Sequence, residues 1–144
     1  MKRRLLSAFL AVMMVLTMAP VAFAADTEPT TEPTTEYVAQ VDGNNYATIA
    51  DAIAAANNKT LTLLKDVNGQ IVIPEGKKIT LDLNGHAISN SKTAVLNNGN
   101  LTICDSSEKK SGVIKSTGNV GIGVGDNSYT TIEYANIQSQ EGAV

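Results

Sequence analysis

The amino-acid sequence predicts an all-β solenoid of parallel windings, on three observations. From Thr60 onward the chain breaks into β segments of three to five residues separated by glycine and asparagine, too short for the long arms of hairpins joined by two-residue turns. These segments recur in units of about 23 to 27 residues, with three strands and three corners to a unit, and a fixed period of that size marks stacked repeats. Within "ITLDL", Ile79, Leu81 and Leu83 alternate with Thr80 and Asp82, which sends the aliphatic set inward and the polar set toward solvent. A coil whose strands lie about 4.8 Å above their counterparts in the previous winding satisfies all three.

The elements follow in order. "MKRR" and the apolar run "LLSAFLAVMMVLTMAPVAFA" end on Ala22-Phe23-Ala24, the basic, apolar and small-x-small parts of a signal peptide over residues 1–24. A membrane anchor is the competing reading; Pro20 interrupts the run and no basic stop-transfer cluster follows it. Residues 25–36, with TEPT twice in "DTEPTTEPTTE", have nothing apolar to bury and read as an extended spacer.

Residues 37–59 read as an N-terminal strand and a capping helix. Tyr37, Ala39 and Val41 alternate with polar neighbours, and "DGNN" is a turn signal. Thr48 with Asp51 resembles a capping box, and Ile49, Ala52, Ile53 and Ala56 recur at helical spacing up to Asn57-Asn58. Residues 60–144 then carry the windings. "TLTLLKDV" (60–67) is a partial first one, followed by strands at 71–73, 79–83 and 86–89, at 94–96, 101–103 and 113–116, and at 121–124, 130–133 and 136–139. Leu101 and Ile103 repeat the inward choice and Ile132 is a weaker third copy. The run stops at "QEGAV" with no capping pattern, the expected look of the front of a longer solenoid.

Composition narrows the partners. Lys2, Arg3 and Arg4 leave with the signal, so 8 of the 11 basic residues face 14 acids, a net charge of −6, and the mature chain has no arginine. Arginine is the usual bidentate reader of phosphate and guanine, so nucleic acid is not an expected partner. Cys104 is the single cysteine, which leaves no internal disulfide and suggests a small, half-buried thiol.

Few residues suggest chemistry. Asp82 and His86 lie four apart, and an imidazole titrates near neutrality. Asp82 is expected to face outward, however, with His86 beyond the Asn84-Gly85 corner, so the pair reads as scaffold. One histidine without a cysteine or carboxylate cluster is a poor metal site. Asn84, Gly85, Asn97, Asn98 and Asn127 read as structural corner and ladder residues, the amides stacking from winding to winding and glycine accepting φ > 0. The outward acids Asp82, Asp105 and Glu133 form at most a loose column; three convergent carboxylates can hold Ca²⁺, but separate solvated acids are the commoner case. "GIGVGDN" (121–127) is followed by a strand pattern, whereas a phosphate loop needs a helix there. No catalytic, metal or cofactor site is therefore expected.

"YATIADAIAAA", "TLTLLKDV" and "IPEGKKITLDLNGHAI", in that order, resemble the start of right-handed parallel β-helix domains of the pectate-lyase-like superfamily. They look most like large exported surface proteins of anaerobic, often Gram-positive bacteria. The resemblance spans roughly residues 37 to 139 and implies a single-stranded parallel β-helix with an N-terminal capping α-helix. It is specific for fold and not for function, since the architecture hosts lyases, hydrolases and adhesins. Enzymes of the pectate type use a basic residue, often arginine, beside calcium, and polygalacturonase-like hydrolases carry N-T-D, D-D and G-H-G motifs. Here arginine is missing after the signal, "NGH" (84–86) is not G-H-G, and adjacent aspartates are absent.

The expectation is thus a secreted or cell-surface, non-catalytic scaffold that contacts extracellular glycans or other surface components along a lateral face. It needs no cofactor, and no membrane is expected as a partner after signal cleavage. The alternative is the N-terminal portion of a polysaccharide-active lyase or hydrolase whose catalytic windings lie beyond residue 144. Oligomeric state is not fixed by the sequence.

Overall fold

In the computed structural model, which describes residues 35–118 and 120–140, the short alternating segments become strands close to where the pattern puts them. The predicted signal peptide 1–24 and nearly all of the spacer 25–36 lie outside the described residues. The chain opens with β1 (Ala39–Val41), β2 (Asn44–Tyr46) and α1 (Ile49–Ala55). A first winding follows as β3 (Lys59–Leu63), β4 (Val67–Asn68) and β5 (Ile71–Ile73), and a second as β6 (Lys78–Asp82), β7 (Ala87–Asn90) and β8 (Val95–Asn97). The third is β9 (Asn100–Cys104), β10 (Val113–Ser116) and β11 (Ile122–Val124), and the fourth contributes β12 (Tyr129–Ile132) and β13 (Asn136–Gln138).

Like strands stack on like. The first sheet runs β12-β9-β6-β3-β1-β2, the second β13-β10-β7-β4 and the third β11-β8-β5. All pairings between windings are parallel, which makes the fold a β-solenoid. Lys59 pairs with Ile79 twenty residues on, Lys78 with Asn100 twenty-two on, and Asn100 with Tyr129 twenty-nine on. The windings are therefore less uniform than the sequence repeat suggests, because the connections at the corners differ in length.

Register follows from burial. A one-residue slip would turn every inward aliphatic group to solvent, so the columns lock. Leu61, Leu81, Ile103 and Ile132 stack in one column; Val67, Ile88, Ile114 and Ile137 stack in another, and Ile71, Val95 and Ile122 in a third. Leu81, Ile103, Ile88 and Ile114 are fully buried, whereas Ile132 at the upper end is 37% exposed, since no described winding lies above it.

The lower end is closed by two devices. Thr48 is the N-cap of α1, its hydroxyl accepting from Asp51 N at 3.2 Å, and Ala52, Ile53 and Ala56 bury their side chains in the shared core. The Lys77 ammonium donates to the Ala54 carbonyl at 2.8 Å, tying the last turn to the second winding. The second device was not expected from the sequence. β1 runs antiparallel to β3 and to β2, with Asp42 (φ 49°) and Gly43 (φ 78°) making the turn between β1 and β2. Asn44 and Asn45 are poor strand formers, so they read only as turn; their pairing comes from β1. An antiparallel hairpin here ends the parallel stack and covers the edge of the sheet.

Candidate functional site

The first sheet offers a lateral face whose outward residues are set by register. Thr60, Thr80, Thr102 and Thr131 pair successively and form one threonine column up the face. On one side of it stand Lys78, Asn100 and Tyr129; on the other stand Thr62, Asp82 and Cys104. Strand neighbours lie about 4.8 Å apart, so the hydroxyls repeat at that rise. The signal for this ladder lies in "TLT", "TLD", "TIC" and "TIE", each threonine preceding an inward aliphatic residue; alternation alone places Thr80 and Thr102 outward, and the register aligns them into a column.

Asp82 and Asp105, expected to be outward, solvated acids, are buried instead. Asp82 is only 6% exposed and Asp105 1%. The Asp82 carboxylate accepts from Asn84 N at 3.0 Å and from Ser106 N at 2.8 Å, because the long connection from Cys104 to Val113 folds over the corner and supplies donors. Asp105 occupies the place that Leu83 holds one winding below, turned into the corner, and accepts from Gly85 N at 2.9 Å, Ser107 N at 3.0 Å, Ser107 Oγ at 2.6 Å and Gly112 N at 2.6 Å. Burial opposes ionisation of Asp105, yet the hydrogen bonds from Ser107, Gly112 and Gly85 outweigh it and hold the carboxyl below its ordinary value. Both acids thus take the part of backbone acceptors at the corner, and of the three only Glu133 is exposed.

Cys104 sits half-buried in the outward column above Asp82, with Glu133 following Ile132 in the next winding. Burial first, and then the charges of Asp82 and Glu133, push its thiol up, against a smaller opposing effect of Lys110. It is the protonated, unreactive form that such surroundings favour.

His86 and Asp82 do not meet. The imidazole Nδ1 of His86 lies 3.3 Å from Asp66 Oδ1, an oxygen that also accepts from Ala87 N at 2.9 Å. Asp66 is held below its ordinary value chiefly by the Ala87 N–H, against the opposing effect of burial, with His86 adding to the lowering. Asp66 stands twenty residues before His86, one winding earlier, a partner that only the register of the windings reveals. The pair is open to solvent, with side-chain exposures of 31% and 66%, and exposed pairs contribute little. Substituting His86 by alanine should lower stability by less than about 1 kcal/mol, as read from urea unfolding midpoints. Among the described residues no group of three His, Cys, Asp or Glu is placed to hold a metal ion.

The asparagines divide into two kinds. Asn84 (φ 46°) and Gly85 (φ 81°) form the corner after β6, with His86 N bonded to Leu83 O, and Asn127 (φ 55°) marks another corner. Asn97 is not at a corner: it lies in β8, fully buried. Its amide donates to Tyr129 O at 2.9 Å and Thr130 Oγ1 at 2.8 Å in the winding above, while its oxygen accepts from Gly99 N. Asn84 likewise donates down to Leu63 O at 3.0 Å. These amides bond the backbone of adjacent windings rather than one another. Asn97 stacks between Ile73 and Val124, not between asparagines, which is why the amide ladder expected from the sequence is absent at this position. Asn98 follows it, its N–H bonded to Ile73 O.

Comparison of the chain with protein-family models, with curated proteins and with solved structures finds no match.

Proposed function

We propose that this chain is a non-catalytic β-helix module of the pectate-lyase-like type, exported to the cell surface or medium, that contacts glycans along its lateral face. The observation that carries this reading is the threonine column Thr60-Thr80-Thr102-Thr131, a straight row of hydroxyls on the first sheet. Hydroxyls that both donate and accept at a regular rise suit a chain of sugar hydroxyls. The non-catalytic half of the proposal rests on Asp82 and Asp105, whose carboxylates are turned to backbone donors instead of converging on a cleft where acid–base chemistry would need them.

The test is binding and turnover on the same protein. After expression with its leader, the exported chain should begin at Ala25 on N-terminal sequencing. On an array of bacterial and plant polysaccharides it should retain at least one glycan, and Thr80→Val with Thr102→Val should abolish retention without changing the melting midpoint. Incubation with polygalacturonate and calcium should release no unsaturated products. Retention of no glycan, or calcium-dependent release of unsaturated oligosaccharides, would overturn the proposal.

A further inference from the structure

The sequence holds three Asn-Gly pairs, Asn68-Gly69, Asn84-Gly85 and Asn98-Gly99. In each, a glycine nitrogen, the least hindered on a backbone, follows a side-chain carboxamide that it can attack. The sequence makes the three alike; the structure separates them.

Two are locked at interior corners. Gly85 N donates to Oδ1 of the buried Asp105 at 2.9 Å, and the Asn84 amide is held on Leu63 O at 3.0 Å. The long connection closes over this corner, so that a Cβ added at Gly85 would lie 3.2 Å from Ser107 Cβ. Gly99 is buried, with its N–H bonded to Asn97 Oδ1 at 2.9 Å, and a Cβ there would lie 2.5 Å from Lys77 O. Releasing either nitrogen means opening packed windings. Asn68-Gly69 differs on each count. Asn68 is exposed, and its side-chain amide has no hydrogen bond among the described residues. A Cβ added at Gly69 would meet nothing within 4 Å. Gly69 N does donate to Ser89 O at 2.8 Å, but from the end of β4, a two-residue strand at the edge of the second sheet. Local opening of so short an edge strand breaks few contacts.

We infer that Asn68 is a site of spontaneous deamidation, the one of the three that reacts in the folded chain. Fraying of β4 frees Gly69 N to bond to Asn68 Cγ. The carboxamide nitrogen leaves as ammonia, carrying the proton that the glycine N–H gives up. Water then opens the resulting succinimide at either carbonyl, so the net change exchanges an amide and a water for a carboxylic acid and ammonia. One product is aspartate. The other is isoaspartate, whose backbone runs through the side chain and gains a methylene. Both add a negative charge to the outward column Asn68-Ser89-Lys115, and the second also lengthens β4 against β7.

The test is peptide mapping of the full chain aged in mildly alkaline buffer. Trypsin places the three pairs in separate peptides, 66–77, 79–92 and 93–109, and fragmentation in the mass spectrometer assigns each deamidated residue. In the folded chain Asn68 should deamidate at least about fivefold faster than Asn84 and Asn98, a preference that should vanish in guanidinium chloride. Any smaller ratio in the folded chain would overturn the inference, as would an Asn68 that reacts only in denaturant. A preference of the same size in guanidinium chloride would overturn it too, by tracing the difference to flanking sequence instead of structure.

Discussion

Replacing Asp105 by alanine should destabilise the protein by on the order of 3–5 kcal/mol, one of the two largest single-residue effects expected. The carboxylate is 1% exposed and accepts four hydrogen bonds, three of them from the backbone N–H groups of Gly85, Ser107 and Gly112. Truncation leaves those donors without an acceptor at the corner, and each buried orphan costs about 1–3 kcal/mol. Asp105→Asn is the informative partner. It can keep Oδ1 toward Gly85 and Ser107, but it places an amide N–H₂ against the Gly112 N–H, so roughly half the loss is expected.

The same residue predicts a pH dependence. Its folded pKa lies below the ordinary value because hydrogen bonds outweigh burial, so its contribution is fully present above the ordinary aspartate pKa of about 3.9 and disappears as pH falls through the lower, folded value. Asp66 acts in the same direction. Urea midpoints measured from about pH 7 to about pH 3 should therefore fall more steeply for the parent than for Asp105→Asn, and the difference between the two curves isolates Asp105 from Asp66. Parallel curves would contradict the assignment.

Leu81→Ala should cost about 2–5 kcal/mol. Leu81 is fully buried and stacked between Leu61 below and Ile103 above, so the cavity opens at the centre of a column that neighbouring windings prevent from collapsing. Ile132→Ala, one step above Ile103 in the same column, should cost about 1 kcal/mol or less, because Ile132 is 37% exposed and its removal leaves no closed cavity. Equal losses at the two positions would mean that burial does not grade along the column in the way described.

The stacked strands were legible in the sequence because a period of two inside short segments, repeated at a winding length, leaves few alternatives: Ile79, Leu81, Leu101 and Ile103 point inward as their alternation requires. The hairpin of β1 and β2 was not legible, since Asn44 and Asn45 carry no strand pattern of their own; they pair with β1 through the backbone and through Asn45 Oδ1, which accepts from Gln40 Nε2 at 2.9 Å. The burial of Asp82 and Asp105 was hidden for a different reason. Alternation tells which side of a strand a residue faces, but not whether a connection later in the chain, here 104 to 113, folds over it. The Asp66–His86 contact and the amide bonds of Asn84 and Asn97 were missed because they join windings: they become visible only once the separation between paired residues, which varies from twenty to twenty-nine along the first sheet, is known.

The stacking itself is tested most directly by methyl NOEs on the folded chain. Leu81 methyl groups should show NOEs to Leu61 and to Ile103 together, with none between Leu61 and Ile103, two windings or about 9.6 Å apart. Strong Hα–Hα NOEs between Lys78–Asp82 and Asn100–Cys104, the mark of antiparallel pairing, or a Leu81 side chain in contact with water, would contradict a solenoid filled by stacked aliphatic columns.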